Sequence, residues 1–168
     1  HGLQCRYNNH VHNIKRLHIG SIGGTMSNLG IILVSHGEFA KAALGSAEMI
    51  VGPQEEVTAL ALTVDKSLDA FEEEIAAAYD TLAETCKEII VLCDIYGGTP
   101  FNAVSRCILK GKKIIGYTGL SLPVLIDLLL CRDLSGEEAK KRIEATHAIA
   151  LSPINVSLNS DEDDIDDL

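Results

Sequence analysis

A chain of 168 residues, 46 % hydrophobic and 23 % charged, has the length and composition of one globular domain with a buried core. Its net charge is −10; six acidic residues lie in the last nine positions and three basic residues precede Met26, so residues 26–159 carry −7. An acidic body without a basic patch argues against nucleic acid and anionic membrane as partners. No apolar segment is long enough to span a bilayer or to form a signal-peptide core, so we expect a cytoplasmic protein.

Three segments are distinguished along the chain. Residues 1–25 hold four of the six histidines without apolar periodicity, and we interpret them as a disordered leader or tag of vector origin. Residues 26–159 form the predicted domain, and residues 160–168 form an acidic, disordered tail. The five cysteines include no C-x-x-C pair and are predicted to be reduced thiols. The leader histidines fit no closed structural metal site, and no metal or other cofactor is predicted.

Strand and helix patterns alternate through the predicted domain. Apolar runs predict strands at 30–35, 56–62, 88–94 and 112–118, with a short fifth strand, "INVSL", at 154–158. Helical spacing predicts helices at 38–52, 67–85, 99–110, 121–132 and 135–149. This order predicts an α/β fold with a mostly parallel sheet and helices on both faces.

Helix faces and caps can also be assigned from the pattern. The first helix is predicted to turn one face inward, formed by Phe39, Ala42, Ala43, Ala47 and Ile50. In the second helix, Ser67 is a predicted N-cap, Glu72 to Glu74 are predicted to face solvent, and the inward positions are Leu68, Phe71, Ile75 and Leu82. In the third helix, Thr99 is the predicted N-cap and Pro100 the first helical residue.

Two titratable residues end predicted strands. His36, in "VSHG", ends the first strand, and Asp94 ends the third. In a parallel sheet, ligands bind beyond the carboxyl ends of the strands, at the switch point of the strand order. If the two strands are neighbours, Asp94 can accept a hydrogen bond from one ring nitrogen of His36 and leave the other nitrogen as a nucleophile.

The segment "YGGTP" adds a candidate phosphate site. Gly97, Gly98 and Thr99 come at the start of the third helix, where free backbone N–H groups and the helix dipole favour an anion. Gly37 is placed with this phosphate-binding set, although it could serve only to let the first helix start close to the sheet. Each of these features alone is also common in ordinary strand ends and turns. Together they predict a site for a phosphorylated imidazole.

The segments "GIILVSHGEFAKAAL", "VLCDIYGGTPFNAVSR" and "GLSLPVLIDLL" resemble the enzyme IIA domain of the mannose/fructose/sorbose class of the bacterial sugar phosphotransferase system. The resemblance covers roughly residues 28 to 158. It implies that His36 is the phosphorylated histidine, that Asp94 hydrogen-bonds its ring and that Thr99 lies beside the phosphoryl group. It further implies phosphoryl acceptance from the phosphocarrier HPr, delivery to a IIB component and, indirectly, service to a membrane IIC/IID permease. The resemblance also implies a sheet of four parallel strands plus one short antiparallel strand that is exchanged between the subunits of a homodimer, here "INVSL".

Other functions are compatible with some of these features. The histidine domain of a dihydroxyacetone kinase subunit is similar, but "GGTPFN" favours the sugar system. A histidine-dependent hydrolase would need a nucleophile beside the imidazole, and the adjacent Ser35 should point to the opposite face of its strand. A non-catalytic phosphate-binding module remains a third interpretation, and the sequence does not name the sugar.

Overall fold

The computed structural model describes residues 28–156 of the chain. The four strands in this part are β1 (Leu29–His36), β2 (Val57–Leu62), β3 (Glu88–Cys93) and β4 (Ile114–Thr118). Its helices are α1 (Phe39–Val51), α2 (Leu68–Ala83), α3 (Thr99–Leu109), α4 (Leu122–Leu129) and α5 (Gly136–Ala150). The strands and helices predicted between residues 30 and 149 are confirmed within a few positions.

The sheet places β1 and β3 at its centre. The strand order is β2-β1-β3-β4, and each neighbouring pair is parallel. The chain goes from β1 outward to β2, then crosses back to form β3 on the other side of β1. The switch point of the strand order therefore lies between β1 and β3, at the carboxyl ends where a ligand site is expected.

Two apolar cores cover the two faces of this sheet. On one face, Leu29, Ile31 and Leu33 of β1 pack with α1, α4 and α5. On the other face, Ile32 and Val34 pack with α2 and α3. Alternate residues of one strand thus serve opposite cores, as the period of two in a β-strand requires. His36 continues the Ile32–Val34 series and falls on the α2 and α3 side.

Side-chain caps begin several helices. Ser67 accepts a hydrogen bond from the Ala70 N–H at the start of α2, which confirms it as an N-cap. The predicted cap of α3 was wrong by one residue. Gly98 is the N-cap there, without a side-chain hydrogen bond, and Thr99 is the first helical residue. Thr99 therefore contributes helix geometry and a hydroxyl group to this end of α3, but no cap.

Two predictions about helix faces were wrong. In α1, Ala43 and Ala47 are buried as predicted, together with Ala40, whereas Ala42 is exposed and Phe39 and Ile50 are about half exposed. In α2, Glu72 is buried rather than facing solvent. Its carboxylate pairs with Lys110 and Arg106 from the end of α3, because α2 packs directly on α3. This ion-pair cluster compensates the buried charge.

The segment after α5 and the two ends of the chain bear on the remaining predictions. Residues 151–156 follow α5 without forming a strand within the single chain, and Leu151, Ile154 and Val156 are exposed. The last two residues of "INVSL", the leader at 1–25 and the tail at 160–168 lie outside the described residues. The fifth strand and its exchange in a dimer, as well as the domain boundaries at 26 and 159, stay predictions.

Arg132 binds the amino end of the sheet, opposite the end that carries His36. Its guanidinium donates to the carbonyl oxygens of Leu29, Glu55 and Glu56 at 2.6–3.2 Å, and its side chain is only 13 % exposed. Its own carbonyl accepts the N–H groups of Asn28 and Leu29. One residue thus connects the amino end of β1, the segment before β2 and the loop after α4.

Replacing Arg132 with methionine should lower the free energy of unfolding by about 3 kcal/mol, because a largely buried cation is lost and the carbonyl groups of Leu29, Glu55 and Glu56 lose their donor. Urea unfolding followed by circular dichroism measures this. Lys113→Met, which removes an exposed cation, is the matched control and should change stability little. If Arg132→Met lowered the free energy of unfolding by less than about 0.5 kcal/mol, these hydrogen bonds would not be what stabilises the amino end of the sheet.

Candidate phosphoryl-transfer site

His36 and Asp94 meet at the switch point of the sheet. His36 is the last residue of β1 and Asp94 directly follows β3. The Asp94 N–H donates to the Val34 carbonyl, which extends the β1–β3 pairing to the rim. The His36 Nδ1 atom lies 2.7 Å from Asp94 Oδ2, and the His36 backbone N–H donates to the same oxygen at 2.9 Å. The pair expected from the sequence is thus in contact.

The Asp94 carboxylate is held by further donors. Its Oδ1 atom accepts the Ile95 N–H at 2.8 Å and lies 3.5 Å from Cys93 Sγ. Burial alone would raise the pKa of Asp94, but the hydrogen bonds from the His36 backbone and ring, from Ile95 and from Cys93 outweigh it and lower the pKa. The carboxyl group is therefore ionised at neutral pH. Burial raises the pKa of Cys93 to about 12, so its thiol stays protonated and can donate.

The ionised carboxylate determines which imidazole nitrogen is free. A carboxylate can only accept hydrogen bonds, so Nδ1 of His36 carries a proton. In the neutral ring the lone pair then resides on Nε2. The His36 side chain is 47 % exposed, whereas that of Asp94 is 10 % exposed. The arrangement presents one nucleophilic nitrogen to solvent and keeps the orienting carboxylate behind it.

The amino end of α3 lies next to the imidazole ring. A Cβ atom built on Gly98 would come within 2.7 Å of His36 Cε1 and 3.2 Å of Nε2. Gly97 has φ +80°, a left-handed conformation that glycine adopts without strain. Among residues 28–156, the backbone N–H groups of Gly97, Gly98 and Thr99 have no acceptor. Thr99 is half-buried, and its hydroxyl group also has no partner in this part of the chain.

The two residues that flank His36 have other contacts. The Gly37 N–H donates to the Leu62 carbonyl of β2 at 2.8 Å, and its φ is +53°. Gly37 therefore turns the chain from β1 into α1, and its amide is already donated. Ser35 is buried, and its hydroxyl group accepts the Ala40 N–H at 2.7 Å. It lies on the other side of the strand from the imidazole, as the alternation predicts, and forms no nucleophile–base pair with it.

Exposed apolar side chains surround this end of the sheet. Phe39 follows β1, Val64 follows β2, and Ile95 and Tyr96 follow β3. Phe39 and Ile95 are about half exposed, while Val64 and Tyr96 are almost fully exposed. The Tyr96 ring rests against Phe101 of α3, with ring centroids 4.6 Å apart. We call these four residues the apolar rim. A small ligand would not need them, whereas a protein surface could cover them.

Two structural features bear on the class of protein. Within residues 28–156, no three histidine, cysteine, aspartate or glutamate side chains lie close enough to hold a metal ion. In the same part of the chain, no helix has both the length and the apolar character needed to cross a membrane.

Comparison with known proteins identifies the family. The family model of the PTS system fructose IIA component, EIIA-man, matches residues 30–146. The chain belongs to this family. The matched range of the IIA component includes the four strands apart from Leu29, together with His36, Asp94 and the "GGTP" segment. It favours the sugar phosphotransferase system over a dihydroxyacetone kinase subunit.

Individual relatives agree with this assignment. The mannose-specific EIIAB component of the Escherichia coli (strain K12) phosphotransferase system is 31 % identical over 105 residues, which are 62 % of this chain and 32 % of that protein. The fructose-specific EIIA component of Bacillus subtilis (strain 168) is 29 % identical over 62 % of this chain and 71 % of its own length. A crystal structure of the IIA protein associated with the Streptococcus pneumoniae fucose utilization operon has a TM-score of 0.65 and 31 % identity, covering 73 % of this chain and 93 % of that one. The match thus spans about a third of the first relative.

Some contributors to the site could not be found from the sequence. Cys93 donates to Asp94, but its position before an aspartate does not distinguish it from the other cysteines in apolar runs. The close approach of Gly98 to the imidazole depends on how α3 is placed against β1. The only local signal is the double glycine, and only the first of its two residues has a conformation that calls for glycine.

Proposed function

We propose that this IIA component accepts a phosphoryl group from phospho-HPr on Nε2 of His36 and passes it to a IIB component. The observation that carries the proposal is the His36–Asp94 pair, since its 2.7 Å contact leaves Nε2 as the exposed nucleophile. Membership of the IIA family supplies the phosphotransferase context. The sugar crosses the membrane through a IIC/IID permease, which this chain serves from the cytoplasm.

The transfer exchanges one phosphorus–nitrogen bond for another. Nε2 of His36 attacks the phosphorus atom, the bond to the donor imidazole breaks, and the donor nitrogen keeps the electron pair. The His36 ring then carries the phosphoryl group on Nε2 and its proton on Nδ1, and Asp94 stabilises the positive charge on the ring. Such a transfer has a loose transition state, so positioning and electrostatics supply most of the catalysis. The scheme uses no metal or cofactor.

The unpaired N–H groups of Gly97, Gly98 and Thr99 support a phosphoryl site at the start of α3. We assign the Thr99 hydroxyl group to the same site. Gly37 belongs to the site through its turn conformation, since its amide is donated to Leu62. The apolar rim supports a protein as the phosphoryl donor and acceptor, because its exposed side chains offer an area that a partner surface can cover.

Incubation with phosphoenolpyruvate, enzyme I and HPr, followed by intact mass measurement, tests the function. We expect the mass of one phosphoryl group to be added, in an acid-labile form that maps to the peptide containing His36. A chain that binds phosphate reversibly and shows no covalent adduct would instead be a non-catalytic phosphate-binding module.

We also propose that the component is a homodimer that exchanges the strand at residues 154–158. Leu151, Ile154 and Val156 follow α5 as exposed apolar residues, and no surface within residues 28–156 covers them. Both β2 and β4 are edge strands of the described sheet, and an uncovered edge strand tends to pair with another chain. Exchange about a two-fold axis would cover the same edge in both subunits.

Deleting residues 152–168 should convert the dimer into a monomer, because it removes the exchanged strand. Light scattering at matched concentration measures the mass. The matched control deletes only residues 160–168 and should leave the dimer intact, since this segment is acidic and lies beyond the predicted strand. A full dimer after the longer deletion would rule out strand exchange as the source of the assembly.

A further inference from the structure

The backbone of Gly98 does not itself need glycine. Gly98 has φ −83° and ψ 177°, an extended conformation that any L-residue adopts. Its neighbour Gly97, at φ +80°, is different, because a side chain there would strain the backbone. Any cost of a side chain at position 98 must therefore come from the space around it.

That space is filled by the imidazole of His36. A Cβ atom at position 98 would approach Cε1 to 2.7 Å and Nε2 to 3.2 Å, and the next nearest atom, Ile95 Cγ1, would lie at an ordinary 3.6 Å. Carbon atoms in van der Waals contact lie about 3.5–4.0 Å apart. The conflict is thus specific to the ring, and it involves the two ring atoms on the side of the free nitrogen.

The ring cannot move away from position 98 without losing a hydrogen bond. It is half exposed and could rotate outward, but Nδ1 is hydrogen-bonded to Asp94 Oδ2 at 2.7 Å. Asp94 itself is held by the N–H groups of His36 and Ile95. Moving the ring away from position 98 would break the contact that fixes its proton on Nδ1.

We infer that Gly98 is a positioning residue whose missing side chain lets the imidazole lie between Asp94 and α3 with Nε2 open. Asp94 holds one edge of the ring, and the bare Gly98 backbone forms a wall beside the other edge. An alanine at this position covers Nε2 or displaces the ring from Asp94. Residue 98 thus controls access to the nucleophile, in addition to any contact of its amide with phosphate. The inference rests on the proposed role of His36, but the clearance is a property of the chain without partners.

The first test measures the ring in the free protein. The full-length Gly98→Ala variant should show an altered Nδ1–H and Nε2 signature of His36 in ¹⁵N NMR of the imidazole. Carbethoxylation by diethyl pyrocarbonate, followed at the His36 peptide by mass spectrometry, should change at least tenfold: it becomes slower where the alanine covers Nε2 and faster where the ring turns outward from Asp94. Gly45→Ala is the matched control, since Gly45 lies on α1 and a Cβ there meets no atom within 4 Å. An unchanged ring spectrum with an unchanged carbethoxylation rate would overturn the inference.

A second measurement uses stability. Gly98→Ala should lower the melting temperature by several degrees in the parent chain but not in the His36→Ala background, where the obstructing ring is gone. An equal loss in both backgrounds would show that the alanine disturbs α3 and that the ring is not its target. Because neither measurement needs HPr, a parent protein that fails to accept phosphate would refute the proposed function without deciding the role of Gly98.

Discussion

His36→Ala should abolish covalent phosphoryl acceptance while the fold is retained. Within residues 28–156 the other histidine, His147, lies in the last turn of α5, and removal of a nucleophile ends a covalent pathway altogether. The His36 side chain is about half exposed and packs in neither apolar core, so its loss should cost little stability. Phospho-HPr in excess, followed by intact mass and peptide mapping, measures the incorporated phosphate.

His147→Ala is the control for this variant. His147 lies in the last turn of α5 and is exposed, so its replacement should leave phosphoryl acceptance unchanged. Circular dichroism should give the same spectrum for the parent chain and both variants. If His36→Ala still gained one acid-labile phosphate, the phosphorylated residue would have to be sought among the other histidines.

The sheet was predictable because its signal is local. A strand buried on both faces is a continuous apolar run, and β1 and β3 both follow this pattern. The ends of the runs at His36 and Asp94 then follow from chain position alone. That the two strands are neighbours was a condition of the prediction, and the strand order β2-β1-β3-β4 satisfies it.

The errors arose where a helix pattern depends on its neighbour. The amphipathic pattern predicts Glu72 on the solvent face of α2, but the residue is buried, and Lys110 and Arg106 from α3 compensate its charge. The helical spacing predicts Phe39 on the inward face of α1, but the small residues of α1 pack on the sheet and leave Phe39 beside the site. Neither outcome can be read from one helix, because each depends on what another element brings to it.

In the site, too, some features follow from local sequence and others depend on how the elements pack. The identity of His36 and Asp94 follows from the sequence, whereas the oxygen that binds Nδ1, the donors to the other oxygen and the gap at Gly98 require coordinates. The amide of Gly37 shows what the sequence alone cannot predict. A glycine next to the nucleophile looks like a phosphate ligand, yet its N–H is donated to Leu62 because β2 lies beside β1.

Asp94→Ala should slow phosphoryl transfer by about 10²-fold without abolishing it. The alanine cannot fix the proton on Nδ1, so a share of the neutral rings carries the proton on Nε2, which then cannot attack. It also removes the negative charge that stabilises the phosphorylated ring. Rapid-quench measurement of transfer from phospho-HPr, and onward to the IIB component, gives both rates.

Asp94→Asn separates these two contributions. The asparagine keeps an oxygen that accepts from Nδ1 but removes the charge, so transfer should be slowed less than in Asp94→Ala if the hydrogen bond matters most. Asp69→Asn, at an exposed carboxylate of α2, controls for the loss of one acidic group and should leave both rates unchanged. Equal slowing by alanine and asparagine would assign the effect of Asp94 to its charge. Unchanged rates in both variants would make Asp94 only a turn residue that accepts the Ile95 N–H.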